Sequence, residues 1–300
     1  MKMIRQGKVK DVYEVDAHTL EFVFSDKISV FDKIIPSLIP HKGETLCRTS
    51  AFWFQVVRSC GIKTHFRELI PPNMMRVHKV QVLEPAKLTR KSNNFLVPLE
   101  VICRYYVAGS LWDRVRSGEI KPSKLGFKSN KEVKYGDELP EPFVEVTTKL
   151  EEFDRLLTKT EAMKMAAIST DEYKMIINSA LQIDERIADE VGKRDLIHVD
   201  GKKEFAFDEN RELMVVDTFG TADEDRWWDE TDYSKGEFVE LSKELVRQYY
   251  REKGYYSKLT ESRKQGKPEP KIPALPAARI KEVSDLYVDM FERITGESYR

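Results

Sequence analysis

The chain has 300 residues, 41% of them apolar and 34% charged, a balance that fits one large folded domain or two to three packed lobes and excludes a disordered chain or a minidomain. Its 50 Lys and Arg against 51 Asp and Glu give a formal net charge of −1, so no global positive excess draws it to nucleic acid or anionic lipid. Cys47, Cys60 and Cys103 lack paired ligand spacing, which argues against a disulfide scaffold or zinc cluster. With no apolar leader and no run of roughly 18 apolar residues, a cytoplasmic chain that is neither exported nor membrane-embedded is expected.

Val9 to Val15 alternates apolar and charged positions, and Thr19 to Phe24 is rich in aromatic and β-branched residues. Together they predict a β-hairpin turning at Asp16-Ala17-His18. Thr49 to Arg58 surrounds a helix with apolar residues, which predicts a buried helix stopped by Gly61. Lys79 to Leu83 and Leu96 to Val107 predict strands, the second an apolar run whose only cation is Arg104. Gly118 to Pro142, rich in Lys, Gly, Ser and Pro, predicts an extended surface excursion or flexible loop. A capped helix is expected from Ser169 or Thr170 to Gly192. Three short strands follow, near Leu196 to Val199, Lys203 to Phe207 and Leu213 to Val216, with a turn at Asp208 to Arg211. Helices from about Glu237 to Lys253 and from Pro276 to Ile294, the latter closed by Gly296, flank a mobile loop at Thr260 to Lys271. There is no internal repeat.

Several residues stand out chemically. Lys8 and Lys10, two apart at the start of a strand, leave one face beside Gly7, which suits a polyphosphate, although without Walker spacing the pair taken alone better suits an edge strand guarded by lysines. Asp200, Lys202 and Glu204 share a strand face, and Asp217 lies across the hairpin turn. Carboxylates and a lysine so arranged suit a magnesium-bound nucleotide, or a wet sheet face with cross-strand ion pairs. Arg104 on an apolar strand is costly unless it is paired or liganded. Either it holds an anion, with Ser110 near a helix N-terminus as a further donor, or it pairs with Glu100. His18, His41, His65, His78 and His198 show no pair at metal-ligand or triad spacing, which weakens metal-hydrolase and serine-hydrolase readings. Trp227-Trp228 after Arg226 either stacks on a base or forms a packing lid in a loop.

In this order, the segments resemble the SAICAR synthetase family (phosphoribosylaminoimidazole-succinocarboxamide synthases) over nearly the whole chain. The resemblance rests on Gly7-Lys8-x-Lys10-Asp11-Val12-Tyr13, Ser25 to Asp32, Ile39-Pro40-x-Lys42-Gly43 and Phe52-Trp53-Phe54. It continues through Pro98 to Ser110, Asp200-x-Lys202-x-Glu204-Phe205, Val216-Asp217, Asp223-x-x-Arg226-x-Trp228, Ile272 to Pro276 and Tyr287 to Gly296. It implies an α+β fold with an antiparallel β-rich lobe (1–78), a central α+β lobe that binds nucleotide and substrate (79–235) and a C-terminal helical segment (236–300). It also implies ATP and Mg2+ as cofactors, and amide formation between carboxyaminoimidazole ribonucleotide and L-aspartate through an activated carboxylate.

By position, Lys8, Lys10, Asp200 and Glu204 would bind the nucleotide, and Asp200, Glu204 and Asp217 would organise the metal. Lys202 and Asp217 would be catalytic, while Arg104, Ser110 and Arg226 would hold the anionic imidazole substrate. The implied partners are small molecules, with no nucleic acid and no membrane, and a homo-oligomer is allowed. The chain departs from the family pattern at Phe153, where a histidine is usual, and at Thr218, where an acid often stands. Glu224 and Asp225 replace a Ser-Ser pair before Arg226, an arrangement expected to repel a substrate phosphate. A ligase with another substrate pair, or a nucleotide-binding regulator without catalysis, is the alternative. A kinase-like phosphotransferase would need His-Arg-Asp and Asp-Phe-Gly signatures that are absent.

Overall fold

Two antiparallel sheets and a C-terminal set of helices build the α+β fold, and the computed structural model describes residues 1–151 and 153–300. The first sheet contains β1 (Lys2–Gln6), β2 (Lys10–Glu14), β3 (Thr19–Phe24), β6 (Phe66–Ile70) and β7 (Met74–His78), in the order β1-β2-β3-β7-β6. A small hairpin, β4 (Lys27–Val30) and β5 (Lys33–Leu38), and α1 (Lys42–Ser59) lie between β3 and β6. The expected first hairpin is present as β2–β3, and its turn is closed by the His18 N–H donating to Asp16 Oδ1 at 2.8 Å.

Helix α1 starts at Lys42, ahead of the expected Thr49. Its start is set by tertiary contacts: the Gly43 N–H donates to Asp26 Oδ1 at 2.9 Å, and a Cβ on Gly43 would lie 2.9 Å from the Phe24 carbonyl oxygen. Residues 79–83 do not form the expected strand. They cross from β7 to the second sheet, touching it through one bridge between Gln81 and Phe95.

The second sheet has the order β11-β10-β8-β9 and comprises β8 (Phe95–Tyr106), β9 (Glu138–Thr148), β10 (Leu196–Phe207) and β11 (Leu213–Val216). A further strand, β12 (Arg226–Asp229), pairs with the first half of β10. Helices α2 (Gly109–Arg116) and α3 (Lys159–Met165) connect its strands, and α4 (Thr170–Gly192) packs on its back. The capping box expected at Ser169 forms with Glu172. Where two short strands are expected, β10 runs unbroken, because Asp200, Gly201 and Lys202 pair with Arg104, Cys103 and Ile102 of β8.

The 118–142 segment is not a loose loop. Ile120, Leu125, Val133 and Leu139 join Val107 and Leu111 in a satellite core, and β9 begins at Glu138. Trp227 and Trp228 are buried in β12, with Trp228 stacked on Tyr233 at 5.6 Å, so the base-stacking reading is withdrawn.

The remaining helices are α5 (Glu230–Ser234), α6 (Glu244–Glu252), α7 (Tyr255–Lys264) and α8 (Ala277–Thr295). Half of the expected mobile loop is therefore helix α7, held by Tyr255 OH donating to the Pro270 carbonyl at 3.0 Å. Among the described residues, no helix is long and apolar enough to cross a membrane.

A buried ion pair joins α1 to the segment just before β12. Lys42 Nζ lies 2.9 Å from Asp223 Oδ2, with side chains 0% and 3% exposed, and Tyr287 OH donates to the other Asp223 oxygen. Burial works to raise the Asp223 carboxyl, but Lys243 and Lys42 outweigh it and hold it well below the usual carboxylate range. Removing Asp223 strands the fully buried Lys42 ammonium, so Asp223→Asn is expected to cost about 3–5 kcal/mol. The shift in urea midpoint at an unchanged m-value measures that cost.

Candidate active site

The alternation of β10 carries Asp200, Lys202 and Glu204 out on one face and turns Gly201 and Lys203 to the other. Glu204 pairs in register with Val216 of β11, so Asp217 follows directly beside it, turned off the strand by a left-handed backbone at φ 65°. Lys149 arrives from the end of β9 and Lys10 from β2 of the facing sheet. Lys10, Lys149, Lys202, Glu204 and Asp217 line a cleft of about 740 Å3 between the two sheets. Its apolar lining comes from both sheets, Val12, Leu20, Phe22 and Val77 from the first and Leu96 and Val216 from the second.

The polar end is a lattice of opposite charges. Lys202 Nζ lies 2.9 Å from Glu100 Oε1, 3.1 Å from Glu204 Oε1 and 3.5 Å from Glu224 Oε2. Lys149 contacts Glu204 and lies 3.8 Å from Asp217 Oδ2, while Lys10 pairs with Asp217. Burial pushes the Lys10 ammonium down to about 8, against the pull of Glu224 and Glu204. Burial also works to raise Glu204, but Lys202 and Lys149 overcome it and hold the carboxyl at about 2. The same burial would lower Lys202, yet Glu224, Glu204 and Glu100 keep it well above its ordinary value. Glu204 and Asp217 are carboxylate oxygen donors facing a cleft, a donor set that fits Mg2+.

Lys8 lies in the turn before β2, closed by the Gly7 N–H donating to the Lys10 carbonyl at 3.0 Å. It lines the cleft mouth and pairs with Asp32 at 2.8 Å, so Lys8 and Lys10 share the cleft without sharing a strand face.

A second cleft, of about 930 Å3, opens beside Arg226, the first residue of β12. Arg226, Ser110, Arg116, Lys243, Arg247 and Arg251 line it, together with Asp32, Asp113, Glu240 and Glu244. Arg226 Nη1 donates to Asp200 Oδ2 at 2.5 Å, and its Nε lies 3.3 Å from Glu240 Oε2. Gly109, at φ 51°, lets the backbone approach Arg226: a Cβ there would lie 2.7 Å from the guanidinium nitrogens. Arg104 donates from Nε to Glu145 at 2.9 Å and from Nη2 to Ser110 Oγ at 3.2 Å, and its Nη1 lies 3.5 Å from Asp200. The alternative pairing of Arg104 with Glu100 does not occur, since Glu100 is held by Lys202.

Three expectations change. Asp200 does not join Glu204 and Asp217 around one ion. Four residues of strand separate it from Glu204 by about 13 Å, and its carboxylate is engaged by Arg226 and Arg104. The predicted repulsion of phosphate by Glu224 and Asp225 does not arise, because Glu224 turns to Lys202 in the first cleft and Asp225 is buried behind the sheet against His198 and Lys203. Phe153 is 66% exposed on the surface. Thr218 does line the first cleft.

Two site residues escaped the sequence reading. Glu100 sits opposite Glu204 across β8 and β10, and its period-two relation to Arg104 was the available signal. Lys149 follows a strand that the local composition did not predict, and its one signal was the Thr147-Thr148-Lys149 segment that the resemblance covers.

The SAICAR synthetase family model matches residues 3–262. The phosphoribosylaminoimidazole-succinocarboxamide synthase of Thermoplasma volcanium is 56% identical over 299 residues, covering all of both chains. Among solved structures, a type-2 SAICAR synthetase in complex with ADP is 27% identical with a TM-score of 0.71 over 99% of both chains. The SAICAR synthase of Saccharomyces cerevisiae in complex with SAICAR is 25% identical with a TM-score of 0.76, over 99% of this chain and 95% of that one.

Proposed function

The chain belongs to the SAICAR synthetase family, and we propose that its two clefts condense carboxyaminoimidazole ribonucleotide with L-aspartate at the expense of ATP. The observation that carries this reading is the division of labour along one face of β10. Lys202 and Glu204 face the half-apolar cleft, Asp200 orients Arg226 at the polar one, and Lys8–Asp32 bridges the mouths. A relative bound to ADP and another bound to SAICAR support the assignment of the two ligand classes.

In this reading the apolar lining takes the adenine, and Lys10, Lys149 and Lys202 draw the polyphosphate to the charged end. Glu204 and Asp217 would hold Mg2+, which would neutralise charge on the phosphates. Arg226, Arg104 and Ser110 hold the anionic end of the imidazole substrate, so that its carboxylate is directed along β10 toward Lys202. A carboxylate oxygen then attacks the terminal phosphorus, the bond to ADP breaks, and an acyl phosphate forms. The amine of aspartate attacks the acyl carbon, phosphate leaves with the former carboxylate oxygen, and the nitrogen loses a proton. Positioning and charge neutralisation are the protein's main contributions to such a transfer.

Omitting ATP, the imidazole carboxylate or aspartate in turn from a steady-state assay tests the proposal. ADP release that requires all three is the expected result, and ADP release indifferent to aspartate and the imidazole overturns it. Arg226→Lys keeps one positive charge but loses the planar fork. It is expected to raise KM for the imidazole substrate at least about tenfold, with Mg-ADP affinity measured by calorimetry unchanged.

A further inference from the structure

Behind the working face of β10 lies a second charge cluster that no part of the reaction scheme uses. Lys203 Nζ, fully buried, lies 3.1 Å from Asp225 Oδ2 and pairs with Asp184 of α4. His198 Nε2 is 2.7 Å from the same Asp225 oxygen, and Tyr105 OH donates to Asp184 Oδ2 at 3.2 Å. The other Asp225 oxygen accepts the Gly220 N–H at 3.0 Å. A Cβ on Gly201 would collide with both Asp225 Oδ2 and Lys203 Nζ, so the glycine between Asp200 and Lys202 is what lets the cluster sit against the strand. Asp184, His198 and Asp225 have the composition of a metal site, but the Lys203 ammonium contacts both carboxylates and already supplies their countercharge.

The covalent neighbours give the cluster its significance. Lys203 lies between Lys202 and Glu204, and Asp225 immediately precedes Arg226. The loop from Asp217 to Asp225 begins with the proposed metal ligand and ends one residue before the proposed substrate clamp. We infer that Lys203 and Asp225 are positioning residues: their buried pair locks this loop onto β10, fixing Asp217 and Arg226 in register with Lys202 and Glu204. The acidic residue at 225 is therefore matched by a lysine at 203 on the adjacent strand, a pairing that explains why a carboxylate is tolerated directly before Arg226.

The inference rests on the proposed condensation only for its kinetic consequence. Two further readouts, amide hydrogen exchange and Mg-ADP affinity, need neither the imidazole nor aspartate. In Lys203→Met, exchange at Gly220 and its loop neighbours is expected to rise at least about tenfold while the amides of α8 keep their protection. Mg-ADP affinity and kcat are each expected to fall about tenfold or more in protein that circular dichroism shows to be folded. The triple variant Lys203→Met with Asp184→Asn and Asp225→Asn removes the ammonium and both carboxylates it neutralises while leaving an acceptor for Gly220, and is expected to recover to within about threefold of wild type. Should Lys203→Met fail to fold, Asp225→Asn gives the same three readouts. A folded single variant with wild-type loop exchange and wild-type Mg-ADP affinity overturns the inference. So does raised exchange with kinetics unchanged, which would make the cluster purely structural. Loss of loop protection and of Mg-ADP affinity, in a protein whose wild type does not condense the two substrates, would sink the proposed reaction and leave the clamp standing.

Discussion

Asp217→Asn is expected to slow amide formation by at least about a hundredfold while shifting the melting temperature by only a few degrees. Two features of the position separate these effects. Its backbone is left-handed, at φ 65°, a conformation that Asn adopts about as readily as Asp, so the turn from β11 into the following loop survives. Its side chain is partly open to the cleft, with Lys10 against one oxygen and Lys149 3.8 Å from the other, so the change removes a working charge and not a packing element. With the charge gone, Glu204 is the only carboxylate left of the proposed pair, and the rate loss should lie in kcat with a parallel weakening of Mg-ADP. Turnover within a few fold of wild type would remove Asp217 from the metal site.

The second large effect is at Lys202. Its ammonium lies within 3.5 Å of Glu100, Glu204 and Glu224, so Lys202→Met leaves three carboxylates facing the approach of a polyphosphate and a substrate carboxylate. A fall in kcat on the order of a thousandfold is expected, together with a smaller loss of Mg-ADP affinity, because Lys10 and Lys149 remain. Adding Glu100→Gln to Lys202→Met should recover part of the loss, since it removes one of the stranded charges. A single-turnover measurement of ADP formation separates the transfer step from product release. If that step ran at the wild-type rate in Lys202→Met, the lysine would have no part in it.

Much of the nucleotide end was legible because it lies on local patterns. Period-two polar residues on a strand, Asp200, Lys202 and Glu204, share a face in any sheet, and the hairpin that follows brings position 217 beside them. The resemblance supplied the roles, and pairing within the sheets supplied the partners. What stayed hidden depends on contacts distant in sequence. Lys149 follows a strand whose first half, Glu138 to Pro142, carries two prolines and falls in the segment that reads as loop, and only pairing with β8 makes β9 visible. Asp225 read as a hazard to phosphate because its burial is decided by Lys203 on a neighbouring strand and by Asp184 on α4. The start of α1 was hidden for the same reason: its N-terminal donor is satisfied by Asp26, well outside the helical window. The error over Asp200 was one of distance along the strand: four residues suffice to move a carboxylate from the metal end to the guanidinium end.

The claim that binds these results together is that a substrate carboxylate is activated by phosphoryl transfer where the two clefts meet. Carboxyaminoimidazole ribonucleotide labelled with heavy oxygen in its carboxylate, supplied with ATP and aspartate, tests this in one experiment. An acyl phosphate requires that one labelled oxygen appear in the inorganic phosphate released, which mass spectrometry of the phosphate measures. Unlabelled phosphate formed alongside the amide product would contradict the account.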